Sequence, residues 1–130
     1  MLVSGGDKQA ACPYDGEPFL LGSIVMPTVA IGPIEIGEVK PLALIAGPCV
    51  LEGRDLVFRI AETLSEITGR LKLPFVFKAS YDKANRSSAS SPRGPGPEEG
   101  LRILEAVRGQ FGCPVLSDVH EVAEVPPAAQ

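Results

Sequence analysis

The sequence predicts an α/β fold whose strands run parallel with helices between them, and three observations carry that prediction. Short apolar runs at Leu42–Ala46, Leu73–Ser80 and Val115–Val119 read as strands. The two longer segments between them place their apolar residues at helical spacing. Strand and helix alternate at intervals of about 30 to 40 residues, the mark of a repeated βα unit with right-handed crossovers.

Taken in order, residues 1–26 carry Gly5-Gly6, Cys12-Pro13, Asp15-Gly16 and Glu17-Pro18, punctuation expected of an irregular leader without a function of its own. Residues 27–41 place Val29 and Ile31, then Gly32-Pro33, then Ile34 and Ile36, a pattern for a small β-hairpin lying as a surface flap. Residues 42–130 hold the βα units. Leu42–Ala46, bounded by Pro41 and Gly47-Pro48, is expected to be a strand buried on both faces. Asp55 is placed to cap a helix in which Val57, Ile60, Ala61, Leu64 and Ile67 face the core, Arg59, Glu62 and Glu66 face out, and Gly69 ends it. Pro97 suits the first turn of a second helix, with Glu98 and Glu99 near its positive end. Leu101, Leu104 and Val107 form its buried stripe, with Gly109 and Gly112 closing it. Pro126 and Pro127 disfavour continuing a third helix beyond Glu124.

The chain of 130 residues fits one domain. Its 45% hydrophobic and 22% charged residues match a globular protein rather than a disordered or membrane one. A net charge of -4 argues against general nucleic-acid binding. No apolar run approaches the roughly 18 residues of a membrane span. The three cysteines Cys12, Cys49 and Cys113 form no C-x-x-C pair. Neither a disulfide framework nor a zinc ribbon is indicated, and a reducing cytoplasm fits best.

Against the acidic background, residues 78–88 stand out. Strand alternation puts Lys78 and Ser80 on one face, where an ammonium needs either solvent or an anion. Lys83, Asn85, Arg86, Ser87 and Ser88 then add two cations, an amide and two hydroxyls, an inventory for binding a small anion. Each strand also delivers polar residues at its C-terminal end: Cys49 after the first, Lys78 and Ser80 on the second, Asp118 and His120 on the third. Both (β/α)8 barrels and open doubly wound sheets build sites there. The dinucleotide signature G-x-G-x-x-G is absent after the first strand, which favours the barrel. A barrel typically takes about 250 residues, so about three βα units, a TIM-barrel portion preceded by a hairpin, is the expectation.

The runs Ala46-Gly47-Pro48-Cys49-Val50-Leu51-Glu52, Phe77-Lys78-Ala79-Ser80-Tyr81-Asp82-Lys83-Ala84-Asn85-Arg86-Ser87-Ser88, Arg93-Gly94-Pro95-Gly96 and Ser117-Asp118-Val119-His120-Glu121 resemble the 3-deoxy-8-phosphooctulonate synthases (2-dehydro-3-deoxyphosphooctonate aldolases). The resemblance runs from about Val29 to about Glu124 and corresponds to the N-terminal part of a family member. Related heptulosonate phosphate synthases share the Gly-Pro-Cys element, but the Lys-Ala-Asn-Arg-Ser-Ser run distinguishes them. The resemblance implies a (β/α)8 barrel that condenses phosphoenolpyruvate with arabinose 5-phosphate and water, serving lipopolysaccharide biosynthesis. It implies a cytoplasmic transferase that assembles as a homo-oligomer, a tetramer, with no nucleic-acid or membrane partner.

Residue by residue, the resemblance assigns Lys78 and Lys83 to the phosphoenolpyruvate pocket and Asn85, Arg86 and Ser87 to arabinose 5-phosphate; Ser80, Asp118 and His120 are expected to bind substrate from their place at the strand ends. Lys83 and Asn85 are the expected catalytic residues. Cysteine at Cys49 resembles the metal-dependent class, whose remaining ligands come from later strands, so a divalent metal is implied for the complete enzyme and none is expected to bind this chain tightly. Gly53, Ser117 and the leader depart from the family pattern. Two readings stay open for Cys49, a metal ligand or a plain buried thiol, and two for His120, the pocket floor or a core role with Asp118 as partner. Cys12 and Cys113 are expected to be inert. The competing function class is non-catalytic: a truncated fragment, or a phosphate-binding α/β module that acts only with a partner. On either reading the chain alone is expected to be inactive.

Overall fold

The computed structural model describes residues 27–83 and 93–130. The leader expected at 1–26 lies outside the described residues. In chain order the elements are β1 (Val29–Ile31), β2 (Ile34–Ile36), β3 (Leu44–Ala46), α1 (Arg54–Leu71), β4 (Phe75–Lys78), α2 (Pro97–Phe111), β5 (Val115–Leu116), a 3-10 turn at Val122–Glu124 and α3 (Val125–Ala128). The strands β3, β4 and β5 form one parallel sheet in that order, with Leu44 opposite Phe75 and Phe77 opposite Val115. The fold is mixed α/β, as the alternation predicts.

Strand β4 is the centre of this sheet, and its alternation sorts its neighbours. Phe75 and Phe77, followed by Ala79 and Tyr81, pack with Val57 and Ala61 of α1 and with Ile103, Leu104 and Val107 of α2. Both helices therefore cover one face. Phe77 and Val107 are fully buried, and burying a side chain of this size contributes about 1.5–3 kcal/mol. Lys78 and Ser80 belong to the opposite set.

Close approach of β3 to β4 depends on Gly47. A Cβ there would lie 2.0 Å from the Lys78 carbonyl oxygen, inside any possible contact distance. Beyond it, Val50 forms a parallel bridge to Ser80, and the Leu51 N–H donates to the Ser80 carbonyl.

The antiparallel pair β1–β2 turns at Gly32-Pro33, where Gly32 takes φ 56. Gly32 and Pro33 line a groove with Gly112, Cys113, Pro114 and Val115. These residues lead into β5, so the pair lies near the N-terminal end of the sheet with most of its residues exposed.

Several local expectations are corrected. The first strand is shorter than Leu42–Ala46 and is not buried on both faces: Leu42 is 77% and Ile45 47% exposed, because β3 is an edge strand among the described residues. Gly53, not Asp55, occupies the N-cap of α1, and Asp55 sits in the first turn without a capping hydrogen bond. Gly69 does not end α1. The helix runs to Leu71, and Lys72 adopts the left-handed conformation, its N–H donating back to the Gly69 carbonyl and the Leu73 N–H to the Thr68 carbonyl. Thr68 takes the buried place expected of Ile67; its hydroxyl donates to the Leu64 carbonyl at 2.8 Å, which satisfies it inside the core. In α2, Gly112 alone is the C-cap, and Gly100 and Ile103 join the buried stripe. The third strand is two residues, Val115–Leu116, shorter than the expected Val115–Val119. The prolines at 126 and 127 open the short helix α3, in its first turn, where a missing N–H costs nothing.

Candidate functional site

The C-terminal ends of β4 and β5 bring Lys78, Ser80, Lys83, Asp118 and His120 together. Ser80 is buried at the centre. Lys78 Nζ donates to Ser80 Oγ at 3.0 Å and Lys83 Nζ donates to the same oxygen at 2.6 Å. Ser80 Oγ in turn donates to Asp118 Oδ1. A hydroxyl has two lone pairs and one hydrogen, so all three capacities are used.

Asp118 also faces the two ammonium groups directly, with Lys78 Nζ 3.1 Å from Oδ1 and Lys83 Nζ 4.0 Å from Oδ2. Partial burial pushes its carboxyl up, but the Ser80 hydroxyl, its own backbone N–H and Lys78 outweigh that and hold it down at about 2. Asp118 is therefore ionised near neutrality. Its side chain stays 39% exposed, so solvent screens these pairs and they add little to stability. At Ser80 two ammonium groups meet one carboxylate, an arrangement that can receive an anion, while the carboxylates of Asp82, paired with Arg93, and of Glu124 lie on the Tyr81 side.

His120 lies 3.8 Å from Asp118 Oδ2 through Nε2, and the same nitrogen is 3.1 Å from the Asp82 carbonyl oxygen. A carbonyl only accepts, so Nε2 carries the hydrogen. The ring stands edge-on to Tyr81 at 5.8 Å between centroids. Of the two roles left open by sequence, His120 combines features of both: it adjoins Asp118 and bridges to the residue before Lys83.

Four residues of this region have no assigned role in the sequence reading. Tyr81 Oη donates to Glu124 Oε2 at 2.7 Å, and that oxygen also accepts the His120 N–H at 2.8 Å. Burial first, and then Glu124, raises the Tyr81 phenol to about 12. The His120 N–H, with the Tyr81 hydroxyl, holds Glu124 below the usual carboxylate range. Asp82 forms a two-pronged ion pair with Arg93, Nε to Oδ1 at 3.3 Å and Nη2 to Oδ2 at 3.1 Å. Burial pushes Asp82 up, yet Arg93 and the Lys83 N–H lower it overall. Sequence signals for these were weak: Tyr81 and Asp82 adjoin the cationic run, but nothing in spacing alone pairs them with Glu124 and Arg93.

Asn85, Arg86 and Ser87, expected to hold a sugar phosphate, lie outside the described residues, as does Cys12. Cys49 follows β3 as an exposed thiol rather than a buried one. Among the described residues no group of three His, Cys, Asp or Glu could hold a metal ion. The residues described do not fit a metal centre, since one thiolate falls short of the three or four protein ligands such a centre takes. Cys113 is buried, and burial raises its thiol, which suits the inert role expected of it. No helix among the described residues is long and apolar enough to cross a membrane.

Residues 21–130 match the DAHP synthetase I family. The chain is 54% identical over 103 residues to a 2-dehydro-3-deoxyphosphooctonate aldolase of Azotobacter vinelandii, which covers 79% of this chain and 37% of that protein. It is 57% identical over 95 residues to the enzyme of the same name from Bordetella pertussis, across 73% of this chain and 33% of the relative. A Geobacter metallireducens protein of that name is 52% identical over 102 residues, across 78% of this chain and 38% of its own length. The chain thus spans little more than a third of the length of these curated relatives.

Proposed function

Because the chain belongs to the DAHP synthetase I family, we propose that it carries the substrate-binding N-terminal part of a 3-deoxy-8-phosphooctulonate synthase. The reaction would join phosphoenolpyruvate, arabinose 5-phosphate and water into 3-deoxy-D-manno-octulosonate 8-phosphate, releasing phosphate. The observation that supports this most is the convergence of Lys78 and Lys83 on the buried Ser80 hydroxyl beside Asp118, at the C-terminal end of a parallel sheet. Lysines act as compact charges that can hold a carboxylate and a phosphate, which phosphoenolpyruvate offers together. Asp118 keeps both ammonium groups oriented. In this reading Arg86, with Asn85 and Ser87, grips the phosphate of the sugar through its planar fork.

The remainder of the reading follows the family: a (β/α)8 barrel when complete, a homo-oligomer, a cytoplasmic setting, and a divalent metal to which Cys49 would be one donor. The described sheet has unpaired outer edges at β3 and β5, with Ile45 and Leu116 exposed, which supports an inactive isolated chain and keeps a module acting with a partner as the second reading.

Calorimetric titration with each substrate tests the proposal. Lys83→Ala should weaken phosphoenolpyruvate binding, and Arg86→Ala should weaken arabinose 5-phosphate binding, each by about 1.5–3 kcal/mol, the scale of a charge-assisted hydrogen bond. Unchanged affinity in both variants would overturn it.

A further inference from the structure

Lys83 is the last described residue before positions 84–92, and its backbone is held twice. Its N–H lies 2.7 Å from Asp82 Oδ1 and 2.8 Å from the Arg93 carbonyl oxygen, so one donor is shared between two acceptors. The guanidinium of Arg93 grips the same Asp82 carboxylate from the other side. The main chain repeats the connection, with the Gly96 N–H donating to the Tyr81 carbonyl at 3.0 Å. Gly94 takes φ +104 where a Cβ would lie 2.3 Å from that carbonyl oxygen, so the second strand of the neck is pressed against the first.

This ion pair is a poor stabiliser by position. Arg93 is 62% exposed, and pairs of that kind contribute about 0–1 kcal/mol. Its geometry has more consequence than its energy. The carboxylate that Arg93 orients is the one that fixes the Lys83 backbone, and from that backbone the Lys83 amine reaches Ser80. The Asp82 carbonyl is also the acceptor for His120 Nε2, so the same residue is tied to the end of β5.

We infer that Asp82 and Arg93 are positioning residues for Lys83, setting where its ammonium group stands in the anion pocket. The inference rests on the phosphoenolpyruvate reading of that pocket and adds two residues outside the contact set. Arg93 supplies orientation, and Asp82 must supply a carboxylate oxygen at position 82. A pair that merely tied the neck together would work equally well with its charges exchanged.

The test is phosphoenolpyruvate titration of the full chain followed by amide NMR, for the unsubstituted protein, Lys83→Ala, Asp82→Asn, Arg93→Ala and the exchanged double variant Asp82→Arg with Arg93→Asp. The Tyr81 and Gly96 amide signals report whether the neck remains folded in each. Asp82→Asn and Arg93→Ala should each bind about tenfold more weakly, the order expected for loss of a charge-assisted hydrogen bond, with the neck signals retained. The exchanged pair should remain weak, because arginine at 82 offers no acceptor to the Lys83 N–H. Full affinity in the single variants, full recovery in the exchanged pair, or loss of the neck signals together with affinity would overturn the positioning role while the loss in Lys83→Ala leaves the pocket reading intact. Lys83→Ala binding as the unsubstituted chain does would overturn the pocket reading and this inference with it.

Discussion

The Ser80 hydroxyl donates to Asp118, 38 residues along the chain, and this bond joins the end of β4 to the segment that follows β5. The same oxygen receives Lys78 and Lys83, so a single atom organises three charged side chains. Ser80→Ala should therefore cost about 1 kcal/mol or somewhat more, since it removes a buried hydroxyl with all its bonds. Its larger effect should be on Asp118, whose carboxyl would rise toward its ordinary value. Carboxyl-carbon NMR titration of both proteins measures this, and an unmoved Asp118 would refute the network.

Asp118 also sets a pH dependence of stability. Its folded-state value, about 2, lies below the ordinary 3.8, so the unfolded chain takes up its proton first as pH falls. The stabilisation is fully present above about pH 4 and is lost as pH falls toward 2. Urea unfolding across that window should show a small decline, limited by solvent screening of the part-exposed carboxylate, that Asp118→Asn flattens. Parallel curves for the two proteins would contradict the assignment.

Tyr81 makes the opposite prediction at high pH. A phenol raised to about 12 contributes stability that is complete below 10 and fades as pH rises through 12. Ultraviolet difference spectra should show Tyr81 still protonated at pH 11, and Glu124→Gln should shift its ionisation to lower pH while burial still holds it above the ordinary value. Tyr81→Phe should cost about 1 kcal/mol in chemical denaturation.

Gly47→Ala should be among the most damaging single changes in the described chain. The added Cβ would meet the Lys78 backbone carbonyl at 2.0 Å, and no side-chain rotation relieves a clash with backbone. Parting β3 from β4 is the remaining response, with a loss of about 1–3 kcal/mol or more. Near-normal denaturation of this variant would show that the two strands do not approach as described.

The sequence made the βα alternation legible because apolar periodicity and turn residues agree over long segments: α1, β4 and α2 all stand where Val57, Phe77 and Leu104 place them. It also placed Lys78 and Ser80 on one face, where the structure shows a 3.0 Å hydrogen bond between them. Boundaries were less legible. Lys72 closes α1 by a backbone conformation that lysine rarely takes, and no residue preference announces that. Long-range pairs were hidden for a related reason. Tyr81 meets Glu124 only because β4 and β5 lie side by side, and a register of two strands decides which carboxylate of several is the partner. The assignments at Asn85, Arg86 and Ser87 lie outside the described residues.

Strand β4 is hydrogen-bonded on both sides, with Ala46 opposite Phe77 on one flank and Leu116 opposite Lys78 on the other. Backbone opening at its C-terminal half, Phe77 and Lys78, must break bonds to both neighbours at once, so the amides there should be among the last to exchange with solvent. Lys78 ends that strand, and Ser80 continues it through the Val50 bridge and the Leu51 bond. The Lys78–Ser80 end of this cluster thus inherits its stiffness from the sheet, whereas Lys83 is held by the local contacts of Asp82 and Arg93. Substitutions around its rim can retune charge and shape while the two residues that anchor it keep the lifetime of the core.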